Sequence, residues 1–437
     1  MMNILALCLF CAILTCCVIA DVPIVAALSA GLVLFLIYGA LRGFSPRDLA
    51  EMCWAGIKSA RNILLAFLLI GMMTALWRAS GCIPAIVSYV SGLIHPGVFI
   101  PLTFLANALV SVLTGTAFGT AATMGVICMS ISGSMGLPVF WTGGAVLSGV
   151  FVGDRCSPVS TSALLVSELT RSNLYTNIKN MVKTAAVPFA VTCAVYAAAG
   201  LTQSWTGGSA AVVELFSREF SISLICLLPA VSVLVLALFR TGVKLNMLVS
   251  IAIAYAVARS MQHIGFGESL RIMLTGYKAE SADLAGIING GGITSMARVA
   301  AIVCIASCYS GIFRKTGMLD FLQERITRFA AEHGQYRVML PVSLLASAVA
   351  CNQTLAIMLT HQLCSGMELK PDTEAIYLED TAVIVAPLIP WSIAGTVPLD
   401  SVGAPATCIL AACYLYVLPL WRFIRVGPQC ETGDCPV

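Results

Sequence analysis

The chain has 437 residues, of which 59% are hydrophobic and only 10% charged, with a mean hydropathy of +0.94. A soluble domain carries roughly a quarter charged residues, so these proportions exclude a water-soluble globular protein. The net charge of +3, scattered among loops, gives no electrostatic footprint for nucleic acid.

Long continuous apolar runs point to membrane-spanning helices of about 17–25 residues and away from a barrel, whose strands would alternate. In chain order the runs fall near Asn3–Ala20, Pro23–Leu41, Ile63–Trp77, Val98–Leu113, Phe118–Ile131 and Leu137–Val152. They continue near Met181–Ala199, Ile222–Phe239, Leu245–Ala258, Val299–Phe313, Val338–Ala350, Ile376–Ala394 and Ala404–Leu420. The predicted fold class is an all-α polytopic membrane protein with about 11–13 transmembrane segments.

The first run lacks a basic leader and a small-residue cleavage site, and reads as a span rather than a signal peptide. "AEMCWAGIK" (Ala50–Lys58) reads as a short amphipathic helix at the membrane interface. Arg42, Arg47, Lys58 and Arg61 predict a cytoplasmic loop after the second span, and Arg422 and Arg425 a cytoplasmic C-terminus. The polar stretch Leu201–Phe220 divides the chain. It separates N-terminal spans (1–60) and a first repeat (61–200) from a second repeat (221–421) and a tail (422–437), with 201–220 as linker.

Most of the 18 cysteines lie inside apolar runs such as "LCLFCAILTCC" (Leu7–Cys17), where free thiols act as small hydrophobes. No pair of CxxC motifs and no close histidine spacing provides a resident metal site, and no cofactor is expected. Cys435, third from the end, does not fit a prenylation box. His361 reads as a satisfied polar residue.

Three segments are not clean spans: "LTGTAFGTAATMG" (Leu113–Gly125), "VACNQTLAIMLTHQL" (Val349–Leu363) and "YLEDTAVIVAPLIPWSIAG" (Tyr377–Gly395). Lipid tolerates interrupted backbone only where protein or a watery cavity covers it, so these are expected to be discontinuous helices or re-entrant hairpins. Gly115, Gly119, Gly153, Pro158, Pro387 and Pro390 are the expected structural breaks. The halves also echo each other in order. Leu68–Val90 aligns with Val303–Arg325, "TGTAFGT" (Thr114–Thr120) with "CNQTLAI" (Cys351–Ile357), and "GDRCSP" (Gly153–Pro158) with "EDTAVIVAP" (Glu379–Pro387). Interrupted spans at matching places in two repeats are the sequence sign of a secondary transporter with its site near mid-membrane.

Asp154, Glu379 and Asp380 are the acids inside these segments, and an intramembrane carboxylate signals an ion or proton pathway. In a low dielectric a carboxyl group favours its neutral form, and a bound cation reverses that preference. A group that holds either a proton or a cation couples the two flows. Neutral oxygens for a hard cation are offered by Thr114, Thr116, Thr120, Ser157, Ser160, Asn352, Gln353, Thr354, Thr381 and Ser392. Capping of half-helices is the competing use for each. Arg155 cannot face Asp154 on a regular helix, because adjacent side chains diverge. No Gly-x-Ser-x-Gly element and no GxxxxGK[ST] loop is present, so neither an enzyme nor an ATP-driven pump is predicted.

These motifs, with "NGGGITSMARVAAIVCIASCYSGIFRKTGML", resemble the NhaC-type sodium/proton antiporters of the ion transporter superfamily over about Ile63–Ala394. The resemblance implies an all-helical carrier of the cell (inner) membrane, with two inverted repeats whose hairpins meet at a central site. It implies Na+/H+ exchange, with Na+ carried at Asp154 and Asp380; the alternative is a cation-coupled exchanger of an amino acid or of an organic acid such as malate or lactate. Partners are then the small cation, on the alternative a small organic solute, the lipid bilayer and a second copy of the chain in a homodimer. The family's Gly-Asp-Lys-x-Ser-Pro motif falls on Gly153, Asp154, Arg155, Ser157 and Pro158. Its Thr-Gly-x-x-x-Gly-Thr element falls on Thr114, Gly115, Gly119 and Thr120, and its second acidic motif on Glu379 and Asp380, followed by Pro387, Pro390 and Trp391. One departure stands out: Thr161 and Ser162 replace an acid and a threonine that the family pattern usually carries.

Overall fold

The computed structural model describes residues 5–426 except 7–8, 11, 14–15, 18–19, 21, 91–94, 159, 203–208, 240, 282–283, 286–287 and 317–322. Parts of the first apolar run and of the central polar stretch, and the tail from 427 with Cys435, lie outside the described residues. Among the described residues the only strand-like pairing is an isolated bridge between Tyr277 and Gly290. Everything else is helix, turn or loop, as an apolar chain with self-satisfied backbone requires.

Five single helices among the described residues are long and apolar enough to cross a bilayer: Arg61–Ala79, Gly97–Thr114, Ala117–Ser134, Leu174–Thr202 and Ile293–Phe313. Two bent pairs raise the number to seven. One joins Val213–Glu219 to Leu224–Leu236 at 102°, the other joins Pro371–Leu388 to Ile393–Ser401 at 57°. This is fewer full-length spans than the hydropathy runs suggest. Other runs end early at caps or turns and form shorter helices, such as Gln335–Ala350 and Cys413–Arg425. Apolar sequence measures burial in lipid or protein alike and does not require each run to cross as one rod.

The helices that position the site are α1 (Pro46–Ser59), α2 (Arg61–Ala79), α3 (Pro96–Thr114), α4 (Ala117–Ser134), α5 (Val139–Cys156), α6 (Thr161–Thr170) and α7 (Leu174–Thr202). The second half supplies α8 (Val243–Met261), α9 (Ala297–Thr316), α10 (Gln335–Ala350), α11 (Gln353–Cys364), α12 (Pro371–Asp380), α13 (Ile393–Ser401) and α14 (Cys413–Arg425). The segment expected at the interface is α1. Ser45 and Asp48 form a capping box at its start. One face is pressed on α9 so closely that a Cβ on Gly56 would sit 1.9 Å from the Ser307 carbonyl oxygen, while Trp54 on the opposite face is exposed.

The closest helix pairing relevant to the site is α3 on α5. A Cβ at Gly153 would lie 2.0 Å from the backbone of Ser111, and only glycine permits that approach. Ser111 donates its hydroxyl to the Val150 carbonyl, and Ser157 donates to the Val112 carbonyl at 2.7 Å. The end of α5, which carries Asp154, is thereby fixed against the end of α3, where the chain breaks.

Candidate ion-binding site

Two helices stop inside the bundle in the same way. Helix α3 ends at Gly115 in the left-handed region (φ 67, ψ 24), and Thr116 (φ −146, ψ 128) then caps α4 by accepting from the Gly119 amide at 3.0 Å. Helix α10 ends at Cys351, also left-handed (φ 55, ψ 11), and Asn352 (φ −156, ψ 135) caps α11 by accepting from the Leu355 amide at 3.2 Å. The discontinuous helices expected at Leu113–Gly125 and Val349–Leu363 are present. Their backbone pairs Gly115 with Cys351, one residue off the register suggested by sequence, because identity cannot register φ. The third segment breaks twice, at Thr381 (φ −118, ψ −86) and between Ala386–Leu388 and α13.

The first two breaks meet. A cavity of about 150 Å³ is lined by Thr116, Ala117 and Phe118 from one break and by Asn352, Gln353 and Thr354 from the other, with Asp154, Thr161, Ile63, Ile393 and Ala394 completing the wall. Asp154 supplies the only formal charge among these lining residues. Its Oδ2 accepts from Ser162 Oγ at 2.9 Å and from Gln353 Nε2 at 3.0 Å. The N-terminal ends of α4 and α11 flank this carboxylate, so their partial positive charges favour an anion there. Gln353 Nε2 also donates to the Val383 carbonyl at 3.0 Å, tying the cavity to the segment that follows Glu379 and Asp380.

A second cavity of about 350 Å³ shares Ile63, Thr116, Phe118 and Thr161 with the first. At its rim Lys244 Nζ donates to Asn62 Oδ1 at 2.9 Å in an exposed position. It forms a vestibule beside the Asp154 cavity.

Arg155, fully buried, turns away from Asp154 as the helix rule requires and pairs with Asp380. Its Nη1 donates to the Met181 carbonyl at 3.0 Å and its Nη2 to Thr184 Oγ1 at 2.7 Å. Arg422 Nε approaches the other Asp380 oxygen at 3.8 Å. Asp380 therefore sits in an ion-pair cluster and does not line the cavity. Glu379 lies beside that cluster, wholly buried, with neither carboxyl oxygen hydrogen-bonded.

Thr114 Oγ1 and Thr120 Oγ1 are 2.9 Å apart and Thr120 donates to the Thr116 carbonyl at 2.8 Å, so both hydroxyls brace the first break. Thr381 donates back to the Tyr377 carbonyl at 2.7 Å within its own helix. Ser160 and Ser162 both donate to the Asp154 carbonyl. Ser392 caps α13, and Trp391 Nε1 donates to the Ala348 carbonyl at 2.8 Å next to the second break. The breaks expected at Pro158, Pro387 and Pro390 fall in a turn before α6 and in the interrupted segment before α13. His361 pairs with Glu374 at 2.7 Å, away from the cavity. Residues absent from the sequence-predicted set include Ser162 and Thr161, visible only as departures from a motif, Thr184, which carried no local signal, and Arg422, which the sequence marked only as a charge setting orientation.

A carboxylate in a small cavity between two interrupted helices defines an ion-coupled secondary carrier. The comparisons agree. The sequence pattern of the Na+/H+ antiporter family matches residues 1–170 and 149–418, and the chain belongs to that family. It is 26% identical to the Na(+)/H(+) antiporter NhaC of Alkalihalophilus pseudofirmus over 91% of this chain and 89% of that protein. It is 24% identical to the malate-2H(+)/Na(+)-lactate antiporter of Bacillus subtilis over 95% of this chain and 90% of the relative. It is also 26% identical to the arginine/ornithine antiporter ArcD of Halobacterium salinarum, over 86% and 80%.

Proposed function

We propose that this multi-pass protein of the cell membrane exchanges sodium ions for protons at the Asp154 cavity, the two ions competing for one carboxylate. The observation that carries the reading is that both helix breaks converge on a cavity whose only charged lining residue is Asp154. With sodium bound, the carboxylate is neutralised by the cation. With a proton bound, it is neutralised covalently. In either form the cavity is uncharged and can be moved across a low-dielectric barrier, whereas the empty carboxylate cannot. Oxygens of Thr116, Thr161, Asn352 and Thr354 stand on the same wall to replace water around a hard cation. The vestibule gives the ion its approach. Residues 61–200 and 221–421 act as paired units that each contribute one break.

Exchange of an organic acid on this site is disfavoured by the same wall. A malate- or lactate-like anion would meet no cationic side chain in the Asp154 cavity, where only helix N-termini favour it; Lys244 stands out at the vestibule, and Arg155 is held by Asp380, Thr184 and the Met181 carbonyl. The test is sodium-dependent dissipation of a pH gradient in proteoliposomes, with Asp154→Asn as the variant. Wild type collapses the gradient on adding sodium and Asp154→Asn does not. Wild-type exchange by Asp154→Asn overturns the assignment, and saturable malate counterflow without proton exchange overturns the choice of substrate.

A further inference from the structure

A cavity of about 570 Å³ reaches Ala79 at the end of α2 and shares no lining residue with the ion cavity or its vestibule. Ile63, which lines both of those, stands at the opposite end of the same helix. Two surface elements flank the third cavity. The segment Val213–Glu219 bends by 102° into Leu224–Leu236, so it lies across the direction of the span it precedes. The helix Phe266–Thr275 follows a left-handed turn at His263 (φ 57) and, at ten residues, is too short to cross a bilayer. Phe266, Leu270 and Leu274 recur every four residues along its exposed side, while Glu268, Arg271 and Ile272 face the cavity. An apolar stripe opposite a charged face places this helix in the membrane interface, so the cavity opens at the level of lipid headgroups.

Hydrogen bonds fix its walls. Glu219 accepts from the Ser281 amide at 2.9 Å, Asn289 from the Ala279 amide at 2.6 Å and Gln262 from the Ser221 amide at 3.1 Å. The Tyr277 and Phe220 rings pack with centroids 5.9 Å apart on the same lining. Three cationic side chains, Arg218, Arg271 and Lys278, and three acids, Glu219, Glu268 and Glu280, line the space. Arg218 is held by Glu214 at 2.7 Å, and Arg271 lies 3.8 Å from Glu268. Lys278 and Glu280 form no ion pair among the described residues. They alternate across Ala279, which puts a cation and an acid about 7 Å apart along one wall. A purely anionic headgroup would meet the three carboxylates, and a quaternary ammonium offers no N–H to Glu280. A phosphate joined to a primary ammonium suits both residues, accepting from Lys278 and donating to Glu280.

We infer that this cavity binds a zwitterionic aminophospholipid, with Lys278 on the phosphate, Glu280 on the ammonium and the acyl chains over the stripe of Phe266, Leu270 and Leu274. The site is independent of sodium/proton exchange, and its test does not read transport. Native mass spectrometry of the full chain in detergent, titrated with phosphatidylethanolamine, phosphatidylcholine and phosphatidylglycerol of identical chains, measures the preference. Wild type is expected to retain phosphatidylethanolamine about ten-fold more tightly than the other two, the worth of one charge-assisted hydrogen bond. Lys278→Gln and Glu280→Gln, both at exposed positions, are each expected to bring it down to the level of phosphatidylcholine. Soluble phosphoethanolamine at the lipid's own concentration is expected not to displace it, because it lacks the chains. Equal retention of the three lipids, tighter retention of phosphatidylglycerol, or a preference that survives in either variant overturns the proposal. Displacement by equimolar phosphoethanolamine overturns it too, by making the site one for a soluble solute.

Discussion

Gly115 and Cys351 end their helices with nearly the same backbone, φ 67 and ψ 24 at the first and φ 55 and ψ 11 at the second. Each is followed by an extended residue whose side chain caps the next helix, Thr116 in one half and Asn352 in the other. The shared break brings two helix N-termini to Asp154. At Gly115 the left-handed region is natural, whereas a side chain there costs about 1–2 kcal/mol. Gly115→Ala is therefore expected to lower thermal stability by that amount and to weaken sodium binding as Thr116 shifts. Cys351→Gly, which already has the backbone it needs, is expected to leave the break intact. Thermal unfolding followed by circular dichroism, with and without sodium, separates the two; equal losses would argue that the breaks are not equivalent.

The amide of Gln353 stabilises the anionic form of Asp154 and offers little to the protonated form. A hydrogen bond to a charged group contributes about 1.5–3 kcal/mol. Gln353→Ala is expected to tip the competition toward the proton and raise the apparent KM for sodium roughly ten-fold or more at neutral pH, with a smaller effect at alkaline pH. Sodium titrations of transport at two pH values check this. An unchanged KM at both would show that the bond seen at 3.0 Å plays no part in ion choice.

The Arg155–Asp380 pair is buried on both sides. Removing one member of such a pair leaves an uncompensated charge and costs about 3–5 kcal/mol, whereas removing both is far milder. Asp380→Asn and Arg155→Gln are each expected to lose folded protein in detergent, and the double variant to recover most of it. Size-exclusion profiles of the three variants decide the matter. Two well-folded single variants with a selective loss of sodium affinity would instead make Asp380 a direct ligand.

Thr161 stands on the wall shared by the cavity and the vestibule. A carboxylate placed there would sit near Asp154, and like charges sharing a site hold a proton more tightly between them. Thr161→Asp is expected to move the pH profile of sodium uptake to higher pH. Activity profiles of wild type and variant that superimpose would place Thr161 outside the field of the ion.

Much of this was legible in the sequence, for identifiable reasons. Asp154 stands out because a carboxylate in an apolar run has few innocent uses, and Gly115 because glycine beside threonines in a span marks a break. Cys351 gave no such signal, since its left-handed backbone is set by tertiary context. The pairing of Arg155 with Asp380, 225 positions apart, could not be seen locally; only its failure to face Asp154 could. Expecting Asp380 beside Asp154 at the ion followed from counting acids, and the structure instead gives the two acids different neighbours. Among the described residues fewer single helices are long enough to cross than there are apolar runs, because hydropathy reports burial without reporting where caps and turns cut a run.

The central claim is that proton and sodium compete for the Asp154 carboxylate, and the most direct test is the pH dependence of sodium affinity, measured as sodium-driven proton flux in proteoliposomes. The account predicts an apparent KM for sodium that rises steadily as pH falls while the maximal rate at saturating sodium is preserved, and no sodium-driven proton flux in Asp154→Asn. A sodium KM independent of pH, or a pH-dependent sodium-driven proton flux that persists in Asp154→Asn, would contradict it.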